Sequence, residues 1–201
     1  MAIGASGRLT TPHDWHSDRY VADWIVHDTA RDPERRPRLQ EMLAAARFPR
    51  DAAIEVLDVG AGYGAVTEEV LKAFPQARVT LQDYSQPMLS EAHRRLADKT
   101  DQLRYVTCDL TDASWPDRVG GPFDLAVSAI CLHNLGDEAK IFACYRAIRE
   151  LLRPGGWFLD YDLFFKGLDP HIEAMRAAGF ARVECRWQEE RRAIIAAGRE
   201  D

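Results

Sequence analysis

The 201-residue sequence contains no C-x-x-C pair; its four cysteines, Cys108, Cys131, Cys144 and Cys185, lie far apart, three of them inside apolar runs. That spacing fits reduced, buried thiols better than a disulfide framework or a zinc site. A basic excess is missing too. The formal net charge is −6, which argues against a surface built to track phosphates. Arginines do cluster at Arg35, Arg36 and Arg38, at Arg94 and Arg95, and at Arg191 and Arg192. Acidic neighbours flank most of them, so solvated faces are expected. No run is long and apolar enough to cross a membrane. Near the start, His13, Asp14, Asp18 and Asp23 stand where a secretory leader needs an apolar core, so the expected address is the cytoplasm. Internal repeats and low-complexity tracts are absent, and neither nucleic acid nor a membrane is expected as a partner.

What is present is the composition of one globular domain, 46% hydrophobic and 29% charged. The first dozen residues, rich in Gly, Ser, Thr and Ala, read as a loose tail. Two helical patterns follow. Tyr20, Val21, Trp24 and Ile25 form the stripe of the first. In the second, Asp32 and Pro33 read as N-cap and first helical position, and Leu39, Met42, Leu43 and Ala46 carry the stripe to Pro49.

From Ile54 short strands and helices alternate: strands at 54–59, 77–82, 103–107, 123–128 and 157–161, then a closing pair near 181–187 and 191–197, close enough to form a hairpin. Ser85 with Pro87, Asp137, and Asp169 with Pro170 mark helix starts, while Pro154, Gly155 and Gly156 break a helix before Trp157. Such alternation predicts an α/β fold, a mostly parallel sheet with helices on both faces. The expected division is a tail and helical lid over 1–50 and an α/β domain over 51–201.

Val56-Leu57-Asp58-Val59-Gly60-Ala61-Gly62-Tyr63-Gly64 joins the first strand of that pattern to a helix. Glycines there permit a sharp turn and close approach of a ligand, at the switch point where open α/β sheets bind ligands. A dinucleotide site has G-x-G-x-x-G. Here the spacing is G-x-G-x-G, preceded by an acid, Asp58, which suits a cationic amine better than a pyrophosphate. Asp83 ends the second strand 19 residues after Gly64, the spacing of a ribose-binding acid. Its carboxylate can accept from both ribose hydroxyls. Together these features say nucleoside ligand without naming one.

With these residues the sequence resembles the class I S-adenosylmethionine-dependent methyltransferases of small-molecule type. The glycine turn is similar to the family's first motif, and Asp83-Tyr84-Ser85-Gln86-Pro87-Met88-Leu89 to its second-strand acid and helix opening. Cys108-Asp109-Leu110 resembles the acid after the third strand. Phe123-Asp124-Leu125-Ala126-Val127-Ser128 through His133-Asn134-Leu135, and Leu152-Arg153-Pro154-Gly155-Gly156, complete the set over residues 54–197. The resemblance implies a Rossmann-like seven-stranded sheet with its last strand antiparallel. It also implies S-adenosylmethionine as cofactor, S-adenosylhomocysteine as product, and no metal. By the same resemblance Gly60, Ala61 and Gly62 pass under the methionine portion, with Asp58 at its amino group. Asp83 takes the ribose hydroxyls with Tyr84 and Met88 nearby. Asp109 and Leu110 hold the adenine, and Ala129 faces the sulfonium.

Methyl transfer from a sulfonium is in-line displacement on an activated donor, so positioning dominates. A base is needed only if the acceptor must lose a proton. His133, just beyond the fourth strand, is the candidate, either as base or as a residue shaping the pocket. Asp162 and Tyr161 end the fifth strand, and Asp162 either binds an acceptor amine or caps the strand end. Trp15, His16, Tyr20 and Trp24 either clamp an apolar acceptor or pack as core. His13 and His16 lack further ligands for a metal. With only 163–168 between the fifth strand and the next helix, the acceptor pocket must come from the N-terminal helices and short loops, or be shared in a homodimer.

The expected partner is a small-molecule substrate. A nucleic-acid methyltransferase is disfavoured because Ser128-Ala129-Ile130-Cys131 stands where base-amine enzymes carry an Asn or Asp-Pro-Pro-aromatic motif. A metal-dependent catechol-type enzyme is disfavoured because the fourth strand ends without an acid. The rival of a different class is a cofactor-binding module that methylates nothing.

Overall fold

The computed structural model describes residues 13–200; the tail expected over the first dozen residues lies outside them. Helices α1 (Asp18–Thr29) and α2 (Asp32–Leu43) lead into β1 (Glu55–Val59), α3 (Ala65–Ala73), β2 (Arg78–Asp83), α4 (Gln86–Arg95) and β3 (Leu103–Thr107). Then come α5 (Trp115–Val119), β4 (Phe123–Ala129), α6 (Glu138–Leu151), β5 (Leu152–Leu163), α7 (Asp169–Ala177), β6 (Arg182–Glu189) and β7 (Arg192–Gly198). The seven strands form one sheet in the order β3-β2-β1-β4-β5-β7-β6. Neighbours from β3 to β5 pair in parallel, and β7 runs antiparallel between β5 and β6.

The central strands are buried on both faces, which explains their unbroken apolar runs. On one face Leu39, Met42 and Leu43 of α2, Val66 and Val70 of α3 and Leu89 of α4 pack on Val56, Leu81, Leu125 and Leu159. On the other, Trp115, Ile141, Tyr145, Ile148 and Met175 pack on Leu57, Val59, Ala126 and Phe158. Helix α1 stays off the sheet, and its Val21 packs with Tyr63 and Met88.

Two helix starts differ from expectation. Asp32 and Asp169 are the first residues of their helices, after Arg31 and Leu168, and neither helix has a side-chain cap. Asp32 is drawn off instead: its Oδ1 accepts from the Tyr63 hydroxyl at 3.1 Å, and its Oδ2 pairs with Arg36 and Arg95. Ser85 and Asp137 do cap α4 and α6, accepting from the amides of Met88 and Ala139. Helix α2 stops at Leu43, short of Pro49. Strand β5 starts at Leu152 rather than Trp157, because Leu152 already pairs with Phe123 before a bulge shifts the register. The arginines at 35, 36 and 95 are not solvated. They are largely covered and pair with Asp28, Asp32, Glu68 and Glu69 between α1, α2, α3 and α4, because most of the acids they face come from other helices.

Candidate functional site

The carboxyl ends of β1, β2 and β4 open into a cavity of about 390 Å³. Gly60, Gly62, Gln82, Asp83, Tyr84 and Met88 line it on the glycine-turn side, with Asp109, Leu110, Ile130, Cys131, Asn134 and Lys140 around the rest, and Trp15 of the N-terminal segment joins the lining. The glycine turn is shaped by conformation and crowding together. Gly60 has φ +68°, and a Cβ there would overlap Cys131 Sγ and lie 2.7 Å from Cys131 Cβ. A Cβ on Gly62 would meet nothing within 4 Å, because Gly62 faces the open space a ligand would occupy.

Asp83 is the hub. Its Oδ2 accepts from the Gly62 amide at 2.8 Å, and its Oδ1 accepts from the Ser85 amide at 2.7 Å. Burial pushes this carboxyl up, and the amides of Ser85, Gly62 and Tyr84 pull it back. Each oxygen keeps lone-pair capacity for a hydroxyl donor. Gln82 carries a bridge that the sequence reading passed over. Its Oε1 accepts from the Gly60 amide at 3.0 Å and its Nε2 donates to the Cys108 carbonyl at 2.7 Å. Nothing in Arg78-Val79-Thr80-Leu81-Gln82-Asp83 marks Gln82 out, because its burial exists only once β2 is paired on both sides. Across the cavity, Asp109 uses Oδ1 to accept from the amide and hydroxyl of Thr111.

Other candidates lie behind the wall. Asp58 is fully buried; Thr67 donates to its Oδ2 at 2.6 Å, and its Oδ1 has no partner among the described residues. Burial pushes its carboxyl up to about 7, opposed by the Thr67 hydroxyl and assisted by Asp83. Ala61 is buried, its amide donating to the Gln82 carbonyl at 2.8 Å. Ala129 still pairs with Tyr161 in the sheet, so the wall after β4 is made by Ile130 and Cys131. Ile130 has φ +52°, a costly backbone for a β-branched residue and one that persists mainly where surroundings impose it. Burial drives the Cys131 thiol well above its ordinary value, so it stays neutral.

His133 and Asp162 meet. Asp162 Oδ1 lies 2.5 Å from His133 Nδ1, and Oδ2 accepts from the His133 amide at 3.0 Å. The carboxylate also caps the Leu163 amide at 2.8 Å. This pair stands beside the cavity rather than in its wall; Asn134 is the neighbour that lines it. The exposed ring of Phe165 lies edge-on to His133 at 5.9 Å. Of the N-terminal aromatics only Trp15 lines the cavity. Tyr20 and Trp24 meet Trp15 edge-on at 5.5 and 5.3 Å, and His16 meets Tyr84 edge-on at 4.3 Å. Among the described residues no His, Cys, Asp and Glu cluster has the form of a metal site.

A family model described as a methyltransferase domain matches residues 56–156. A release factor glutamine methyltransferase of Koribacter versatilis is 29% identical over 186 residues, covering 80% of this chain and 64% of that protein. A trans-aconitate 2-methyltransferase of Deinococcus radiodurans is 34% identical over 111 residues, covering 55% of this chain and 38% of that protein. Among solved structures, human N-acetylserotonin methyltransferase in complex with SAM superposes with a TM-score of 0.72 at 16% identity. That superposition covers 95% of this chain and 61% of the human one. The chain therefore spans less than two thirds of the length of each.

Proposed function

Because the chain belongs to the methyltransferase domain family, the class I S-adenosylmethionine-dependent methyltransferases, we propose that it transfers the methyl group of S-adenosylmethionine to a small-molecule acceptor. The observation that carries the reading is Asp83, held on the amides of Gly62 and Ser85 at the cavity edge. The residues fit the cofactor. Asp83 offers a carboxylate to a ribose diol, Gly62 gives the backbone room, Asp109 and Leu110 flank a pocket for the base, and Trp15 lends an aromatic face to the lining. When bound, the cofactor supplies an activated methyl on a sulfonium.

The chain's own work is to align the acceptor, exclude water and, where needed, take a proton. Asp162 fixes the His133 ring through Nδ1, which leaves Nε2 as the proton-accepting atom. This arrangement suits an acceptor hydroxyl or protonated amine at the rim beside Asn134, with Phe165 as an apolar rest. The net charge of −6 supports a small, non-nucleic-acid acceptor, and a cytoplasmic enzyme is the matching location.

A protein-borne acceptor is the second reading, favoured by the similarity to a release factor glutamine methyltransferase. Ser128-Ala129-Ile130-Cys131 offers no side-chain amide or carboxylate there to hold a glutamine amide nitrogen, so this reading ranks second.

The test is calorimetry with S-adenosylmethionine and S-adenosylhomocysteine on the wild type and Asp83→Ala. Loss of two charge-assisted hydrogen bonds removes roughly 2–4 kcal/mol, a drop of about thirtyfold or more. Absence of binding to the wild type would overturn the enzyme reading in favour of a module with no cofactor.

A further inference from the structure

Tyr63 is the one side chain of the glycine turn that points away from the cavity into the N-terminal helices. It is buried, between Gly62, whose amide holds Asp83, and Gly64, whose left-handed φ of +84° starts α3. Its hydroxyl proton lies between two carboxylates, Asp28 Oδ2 at 3.0 Å and Asp32 Oδ1 at 3.1 Å. The phenol oxygen accepts from Arg35 Nη1 at 3.1 Å. Arg35 in turn grips Asp28 with both nitrogens, at 2.6 and 2.5 Å. The ring is packed as well, with the Arg95 guanidinium 5.1 Å from its centre and Trp24 at 6.2 Å.

A second attachment lies just past the end of β2. Ser85 donates through Oγ to the Trp15 carbonyl, and His16 rests on Tyr84. Each attachment point is therefore the chain neighbour of a cavity-lining residue: Tyr63 follows Gly62, and Ser85 follows Tyr84. Trp15, carried by the attached segment, lines the cavity.

We infer that Tyr63 is a positioning residue that couples occupancy of the glycine turn to closure of the N-terminal segment through Asp28 and Asp32. The inference rests on the cofactor reading above. A ligand that draws Asp83 and Gly62 into one geometry fixes the Tyr63 backbone, and so sets the hydroxyl against the two carboxylates. Closure of the segment then stabilises the same turn, since coupling between sites is reciprocal.

The experiment follows amide hydrogen exchange in Asp18–Thr29 with and without S-adenosylhomocysteine, alongside calorimetry, for the wild type and Tyr63→Phe. The phenylalanine keeps the ring packing and removes only the hydroxyl. In the wild type, S-adenosylhomocysteine is expected to slow exchange across this helix. In Tyr63→Phe, at an unchanged melting temperature, that slowing is lost and Kd rises about five- to tenfold. Should Tyr63→Phe not fold, Asp28→Asn carries the same expectation. Wild-type binding with equal helix protection in the variant overturns the coupling and leaves the cofactor reading standing. No wild-type binding overturns both.

Discussion

Asp162 holds His133 at two points, the ring Nδ1 at 2.5 Å and the backbone amide at 3.0 Å, so ring position and ring tautomer have a single determinant. If Nε2 takes the acceptor proton, His133→Ala lowers kcat by about 10²- to 10⁴-fold while leaving the calorimetric Kd for S-adenosylhomocysteine unchanged. Asp162→Asn lowers kcat less, and an acceptor with no proton to lose is methylated equally by all three proteins. Equal loss on both kinds of acceptor would assign His133 to pocket shape alone.

Gly60 and Cys131 are in direct competition for space. Gly60→Ala places a methyl on Cys131 Sγ and also demands φ +68° of a residue with a Cβ. Weakened cofactor binding and a lower melting temperature are expected. Cys131→Gly added to Gly60→Ala removes the overlap but not the dihedral strain, so it restores part of the loss. A double-mutant cycle reads the difference as a coupling between the two sites.

Asp58 makes stability fall as pH rises. Burial holds its folded carboxyl at about 7, above the unfolded value near 4. Between those limits the folded state binds the extra proton, so each rise in pH costs stability until the group is ionised above about 7. The gap spans roughly three pH units at about 1.4 kcal/mol each, on the order of 4 kcal/mol as an upper bound. Asp58→Asn is therefore expected to melt higher than the wild type at pH 8 and no higher at pH 4. Identical pH profiles by thermal unfolding would remove Asp58 from the account.

Glu68 has the opposite sign. Burial raises its carboxyl, but hydrogen bonds from Lys72, Arg95 and Arg36 outweigh it and bring it down to about 2. Its contribution is present above the unfolded value near 4.3 and is lost as pH falls through about 2. The group is partly exposed, so solvent screening limits its worth to about 1 kcal/mol. Glu68→Gln is expected to lower stability by that amount at pH 7 and 0.1 M salt, less at 1 M salt, as read by urea titration.

The α/β alternation, the glycine turn and the acid ending β2 were legible in the sequence because each is written in neighbouring residues. Strand period, glycine spacing and apolar runs need no knowledge of what lies across the sheet. Of the helix starts, Ser85 and Asp137 cap their helices, Asp169 is already the first helical residue, and Asp32 turns to Tyr63 and to arginines. That choice depends on residues distant in the chain.

By itself the sequence determined the sheet, the cavity's position at the strand ends and Asp83 at its edge, since local propensity and spacing suffice for these. Tertiary structure alone decided the rest. His133 and Asp162 meet only because β4 and β5 pair with Ala129 against Tyr161. Tyr63 finds Asp28 only because α1 folds back over the glycine turn, and Cys131 rather than Ala129 presses on Gly60. Contacts between residues far apart in sequence leave no periodic mark in it, because the geometry that selects them exists only once the sheet is assembled.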